Sequence, residues 1–269
     1  MNQIRNRVLL PGLVAALAAQ VASADPVRVE RLTWAGVKFV TADTTVFVDA
    51  VGTDLWDGGA PGGLVPVTAD TGRRYALVTH AHNDHLDVET LKTVLGDRGY
   101  VICHESMATY LASRGLRVIS TPSWVPVSRG GFTFTAVPAV DGFGDDQVSW
   151  VIATGKRRFL HAGDTLWHGH WRRIAGQFSP FDAVFLPING VRVSGEPLQE
   201  TPAVMTPAQA VDAAIALEAK LMVPIHFGHS SPPDYIEADD PLGTARAAAS
   251  RRGLAFRHLS PGEHFAIQE

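Results

Sequence analysis

The 269-residue chain carries a single cysteine, Cys103. An internal disulfide framework is therefore excluded, and the fold has to be held by its core and by any metal it binds. Cys103 ends the apolar, strand-like run Tyr100-Val101-Ile102-Cys103, so it reads as a buried residue and not a nucleophile. Positive charge is also scarce. Against 27 acidic residues there are 23 lysines and arginines, a formal charge of −4, which disfavours nucleic acid and anionic membranes as partners and leaves small molecules as the expected substrates. The oligomeric state is not legible. Long hydrophobic runs are missing too: Val8 to Val21 is apolar but short and broken by Pro11 and Gly12, and no second candidate span follows.

That first apolar run has another reading. Arg5 and Arg7 precede it and the small-x-small triplet Ala22-Ser23-Ala24 follows, the pattern of a secretory signal peptide over residues 1–24, with cleavage expected after Ala24 and a periplasmic or secreted product. Losing two arginines and no acid would take the formal charge from −4 to −6. Residues 25–269 show no linker-like stretch and are expected to form a single domain. Stable membrane insertion after removal of the signal is not expected.

What the chain does have is Thr79-His80-Ala81-His82-Asn83-Asp84-His85-Leu86-Asp87, three histidines and three carboxylate-bearing or amide neighbours packed behind the apolar strand Tyr75-Ala76-Leu77-Val78. Imidazoles and carboxylates ligate zinc, iron and manganese, and a loop at the end of a strand can turn several of them toward one point. Crowded together without a metal, His80, His82, Asp84 and His85 would be costly to desolvate. Asp87 precedes the periodic residues Val88, Leu91, Val94 and Leu95 and reads as the N-cap of a helix.

The His-x-His-x-Asp-His motif resembles the signature of the metallo-β-lactamase superfamily. The resemblance extends to Asp49 at the end of an early strand, which it implies orients the histidine loop, and to Asp164 in His161-Ala162-Gly163-Asp164-Thr165 and His226 in Pro224-Ile225-His226-Phe227-Gly228 as the bridging carboxylate and last histidine. The pieces Thr-His-Ala-His-Asn-Asp-His-Leu, Ala-Gly-Asp-Thr, Met-Thr-Pro-Ala-Gln-Ala-Val and Pro-Ile-His-Phe-Gly look like the branch that includes the ascorbate-phosphate lactonase and the N-acyl-phosphatidylethanolamine phospholipase D. One departure stands out. Where the superfamily supplies a third histidine, this chain reads Val137-Pro138-Ala139-Val140-Asp141-Gly142, so Asp141 is the expected substitute, with Asp145 and Asp146 as rivals and a plain Asp-Gly turn as the remaining alternative.

Strand-like and helix-like segments alternate through both halves of the chain, from a β-meander over residues 27–49 to a last helix near 242–252 and a strand over 255–259. Thr206, Pro207 and Gln209 spell the start of a capped helix. The pattern is compatible with an α/β (α+β) fold, and the resemblance implies an αββα sandwich of two mixed sheets with ligands on the loops at one edge. It also implies two divalent metal ions, zinc first with manganese or iron as alternatives: one held by His80, His82 and Asp141, the other by Asp84, His85 and His226, bridged by Asp164. The expected activity is hydrolysis of an ester, lactone, amide or phosphodiester by a hydroxide held between the metals, with Asp84 and Asp164 as the catalytic carboxylates. A mononuclear-iron oxidoreductase or dioxygenase, or a non-catalytic metal-binding protein, is the alternative on the same scaffold. Trp56, in a long Gly- and Pro-rich loop, together with His168, His170 and His229, is expected to line the pocket.

Overall fold

The computed structural model describes residues 26–56, 58–70, 72–195 and 200–267. The expected signal peptide, residues 1–24, lies outside them. Alternating burial drives the first sheet: β1 (Val27–Arg31), β2 (Val37–Val40) and β3 (Thr44–Val48) form an antiparallel meander, with β1 burying every second residue. β4 (Arg73–Leu77), β5 (Tyr100–His104) and β6 (Val118–Thr121) then join in parallel through helical crossovers. The second sheet holds β7 (Pro126–Arg129), β8 (Phe132–Pro138), β9 (Val148–Thr154), β10 (Arg157–His161) and β11 (Ala183–Pro187). After the short β12 (Arg192–Val193) the chain returns to that sheet with β13 (Leu221–Ile225), pairs β14 (Tyr235–Ile236) with β12, and adds β15 (Ala255–Phe256). β16 (His264–Ile267) closes the first sheet against β1, so each large sheet has seven strands among the described residues.

The two sheets face each other across one core. Val29, Phe39, Val46 and Leu77 from the first meet Phe134, Trp150, Phe159 and Phe185 from the second. Helices α1 (Val88–Leu95) and α2 (Glu105–Ser113) cover the outer face of the first sheet through Leu91, Val94, Met107 and Leu111. Helices α3 (Trp171–Phe178), α4 (Pro207–Ala216) and α5 (Pro241–Arg251) cover the second through Ile174, Val211 and Ala245. This is the expected αββα sandwich. Asp87 caps α1 by accepting from the Thr90 N–H at 3.0 Å, and Thr206 with Gln209 forms a full capping box on α4.

Local details differ from the sequence reading. β7 begins only at Pro126, after Trp124 takes φ +70°, outside strand geometry. The strand expected over 255–259 stops at Phe256, and the chain then turns to lay β16 beside β1, an antiparallel pairing that only long-range register reveals. β12 and β14 are two-residue strands, too short to carry a periodic signal.

Candidate metal centre

Strand β4 ends at Leu77, and the loop that follows is set by Asp49, which lies just past β3 in a left-handed conformation with φ +46°. Fully buried, the Asp49 carboxylate accepts from the Thr79 N–H at 2.9 Å, the Thr79 hydroxyl at 2.7 Å and His85 Nδ1 at 2.8 Å. Burial raises its pKa, but the hydrogen bond from His85 and the neighbouring His85, His161 and His80 charges outweigh it and hold the carboxyl below its usual range. The consequence is geometric. With Nδ1 of His85 tied to Asp49, Nε2 must face inward, as in carboxylate–histidine–metal arrangements. His80 is treated alike, its Nδ1 lying 3.0 Å from the Thr79 hydroxyl.

Two clusters of potential ligand atoms result, each with its atoms within 4.8 Å of one another: His80, His82, Asp141 and Asp164 in one, Asp84, His85 and His226 in the other. Asp164 stands between them. Its Oδ1 lies 3.4 Å from His80 Nε2, while Oδ2 lies 3.9 Å from His85 Nε2 and 3.8 Å from His226 Nε2. Gly163 makes this approach possible: it has φ +69°, and a Cβ there would come within 3.1 Å of the Thr79 side chain. His226 too is left-handed, at φ +54° on the turn after β13, strain that clusters where function requires a fixed geometry.

The donor set fits divalent cations. Among the described residues, His85 Nε2 and His226 Nε2 are buried without a protein hydrogen-bond partner, yet both point at carboxylates, an arrangement that a cation satisfies. Burial opposes ionisation of Asp84 and Asp164, but the facing histidines prevail and hold both carboxyls well below the usual range. Burial likewise opposes a charge on His85, and Asp84, Asp164 and Asp49 together push its pKa up to about 10. His226 is shifted down, chiefly by burial.

Asp141 sits in the first cluster. Its Oδ1 accepts the backbone N–H groups of Phe143 at 2.6 Å and Asp145 at 3.3 Å, which leaves Oδ2 without a protein hydrogen bond among the described residues. The turn role thus occupies one oxygen of the carboxylate and leaves the other available. Asp145 takes another place: it bonds His82 Nε2 at 2.9 Å and turns Nδ1 of that ring toward His80 Nε2, 2.9 Å away. Asp146 belongs to neither cluster.

Above the clusters opens a cavity of about 550 Å³, lined by Asp84, Asp164 and His226 at its floor and by Trp56 and His229 among its walls. His168 and His170 are not part of it. After Thr165 the chain runs to the outer side of the second sheet, where His168 stacks on Trp171 at 4.1 Å and helps line a separate hollow beside Trp167. Burial of His168, with His170 beside it, lowers its pKa to about 4.

Four residues escaped the sequence reading. Trp34 donates from Nε1 to Asp84 Oδ2 at 2.9 Å and packs on the His226 ring at 4.4 Å. Gln147, with its amide oriented to satisfy its neighbours, donates to Asp164 Oδ1 and accepts the Thr165 N–H at 3.1 Å. Tyr235 lines the cavity and accepts from the Asn189 side-chain amide at 2.8 Å. Arg31, buried and lowered to about 9 by desolvation, donates to the carbonyls of Leu32, Trp34 and Pro224, pinning the Trp34 turn to the strand that presents His226. Trp34 had one available signal, since a bulky residue in a Trp-Ala-Gly turn is unusual; the others had none.

Residues 44–227 match the family described as Beta-lactamase superfamily domain. The UPF0173 metal-dependent hydrolase of Anoxybacillus flavithermus is 30% identical over 219 residues, covering 73% of this chain and 85% of its own. Among solved structures, Igni18, a metallo hydrolase from Ignicoccus hospitalis, superposes with a TM-score of 0.70 at 19% identity, over 91% of this chain and 99% of that one. The diiron β-hydroxylase CmlA from Streptomyces venezuelae gives 0.67 at 19% identity, over 93% of this chain and 55% of that one. At such identities these two likenesses concern the fold.

Proposed function

The chain belongs to the β-lactamase superfamily domain family, and from that premise we propose that it is a metal-dependent hydrolase with a dinuclear centre. One observation carries the reading: the two oxygens of Asp164 address different clusters, Oδ1 the His80 side and Oδ2 the His85 and His226 side. His80, His82 and Asp141 would hold one ion, Asp84, His85 and His226 the other, with Asp164 shared. Zinc is the first choice by its ligands, and the extra carboxylate oxygen from Asp141 widens tolerance for manganese or iron. Divalent cations held there supply Lewis acidity, activating water as the nucleophile and polarising the oxygen under attack.

The protein's own groups do the rest. Trp34 fixes Asp84 through its indole N–H, and Gln147 fixes Asp164, so neither carboxylate has to reorganise during turnover. Asp84, about a quarter exposed at the cavity floor, is placed to accept and pass on a proton, whereas Asp164 is nearly enclosed. No serine or cysteine is needed, and Cys103 is fully buried away from the site with its thiol pushed up to about 12 by desolvation. Turnover of ester and phosphodiester substrates should vanish on chelation, return with zinc or manganese, and fall by orders of magnitude in Asp164→Ala. Unchanged turnover after both treatments would rule the mechanism out. The basic, apolar and Ala22-Ser23-Ala24 sequence further supports export, for which a mature protein beginning at Asp25 is the expected mass-spectrometric result.

A further inference from the structure

The cavity above the clusters is apolar in an informative way. Its walls carry Trp34, Leu55, Trp56, Phe143, Val193 and Val204. Leu55 and Phe143, 40% and 48% exposed, extend this apolar lining to the cavity mouth. Among the described residues, no lysine or arginine lines the cavity. Arg192 is close in sequence, but it alternates with the lining residues Val191 and Val193 and so projects from the opposite face of β12. Asp145 adds a negative charge on the wall. Apart from the metal ligands, the polar contribution is small: Asn83, His229 and Tyr235.

Tyr235 is set up as a donor. Its oxygen already accepts from Asn189 Nδ2 at 2.8 Å, which leaves its own hydrogen for a partner in the cavity. A phenol keeps that hydrogen at neutral pH. Beyond any metal at the floor, a phosphate ester reaching this wall would meet Asp145 and, among the described residues, no lysine or arginine. An uncharged carbonyl with an alkyl chain would bury the chain against the indoles and accept from Tyr235.

Resting on the hydrolase reading above, we propose that the pocket selects neutral carboxylic esters or lactones with an apolar acyl chain, the chain lying on Trp56 and Phe143 and the carbonyl oxygen accepting from Tyr235. In the reaction the oxygen of water adds to the acyl carbon and the acyl C–O bond breaks. Its electron pair leaves on the alcohol oxygen, which takes one proton from the water; the other proton is released to solvent by the acid product.

The test compares 4-nitrophenyl octanoate, 4-nitrophenyl acetate and bis(4-nitrophenyl) phosphate with the metal-loaded protein, and follows binding of uncharged 2-nonanone by tryptophan fluorescence. Octanoate is expected to exceed acetate in kcat/KM by about tenfold or more. Trp56→Ala and Phe143→Ala should shrink that ratio, and Tyr235→Phe should weaken 2-nonanone binding about fivefold, the loss of one hydrogen bond. Faster turnover of the phosphodiester than of either ester would overturn this inference while leaving metal-dependent hydrolysis intact. Fluorescence-detected binding of 2-nonanone, reduced in Trp56→Ala, without turnover of any ester would uphold the pocket and defeat the hydrolase reading. The absence of both 2-nonanone binding and ester turnover would overturn the inference.

Discussion

Asp145 stands behind His82, its Oδ2 2.9 Å from the ring Nε2, while Asp141, four residues earlier, stands in the cluster itself. On the proposed reading, two acidic residues on one loop would thus divide the work of binding and aiming. Asp141 accepts the Asp145 N–H, so the carboxylate that would meet the cation also fixes the backbone of the one that orients the histidine.

Replacing Asp145 with asparagine should therefore leave the number of metals bound at saturation unchanged and lower affinity about 10- to 100-fold, the usual cost of losing a carboxylate that orients a ligand. Competition against a fluorescent chelator measures this. A drop in saturating stoichiometry would make Asp145 itself a ligand.

Trp34→Phe keeps the ring packed against His226 and Trp56 but removes the N–H that reaches Asp84. A hydrogen bond to a charged group contributes about 1.5–3 kcal/mol. Turnover should accordingly fall by roughly ten- to a hundredfold, with little change in the metal bound by the His80 cluster. Wild-type kinetics in this variant would show that the indole only packs.

On the proposed reading, metal and proton would compete at His85. Its ring is held protonated by Asp84, Asp164 and Asp49 up to a pKa of about 10, whereas ligation needs Nε2 neutral. Metal uptake below that pH must then release a proton, and apparent affinity must rise with pH, approaching about tenfold per unit for each proton released. The sign is opposite for the metal-free fold: a histidine pKa raised on folding contributes stability below about pH 6.5 that is lost as pH climbs through about 10. Calorimetric titration at pH 7.5 in buffers of different ionisation enthalpy should report about one proton released for the His85 site; none released would contradict the assignment.

Gly142 has no room for a side chain, since a Cβ would fall 2.3 Å from the Ala203 carbonyl oxygen. Gly142→Ala must push the Asp141 loop away from the Ala203–Val204 wall, at a cost of about 1–3 kcal/mol. Thermal melting should drop by roughly 2–10 °C. An unchanged midpoint would mean that the two segments part freely.

The sequence made some of this legible for identifiable reasons. His80, His82, Asp84 and His85 are dense enough to be costly without a shared purpose, and the structure brings them together with Asp164 and His226 from distant loops. Helices α1 and α4 announced themselves through Asp87 and Thr206, whose caps are local chemistry. Gln147 and Tyr235 gave no signal and Trp34 only its place in a turn, because what matters is set by partners far along the chain: Asp84 lies 50 positions from Trp34 and Asn189 46 from Tyr235, while Gln147 meets Asp164 from the loop before β9. His168 and His170 misled for the converse reason: closeness to Asp164 in sequence did not survive the turn of the chain toward α3.

The central claim is that Asp164 joins two half-sites, and metal content by mass spectrometry tests it most directly. Wild type saturated with zinc and freed of excess should hold two equivalents per chain, Asp141→Asn about one, with the Asp84, His85 and His226 side retained, and Asp164→Ala fewer than wild type. One equivalent in the wild type, or a count of two that survives Asp164→Ala undiminished, would contradict the account.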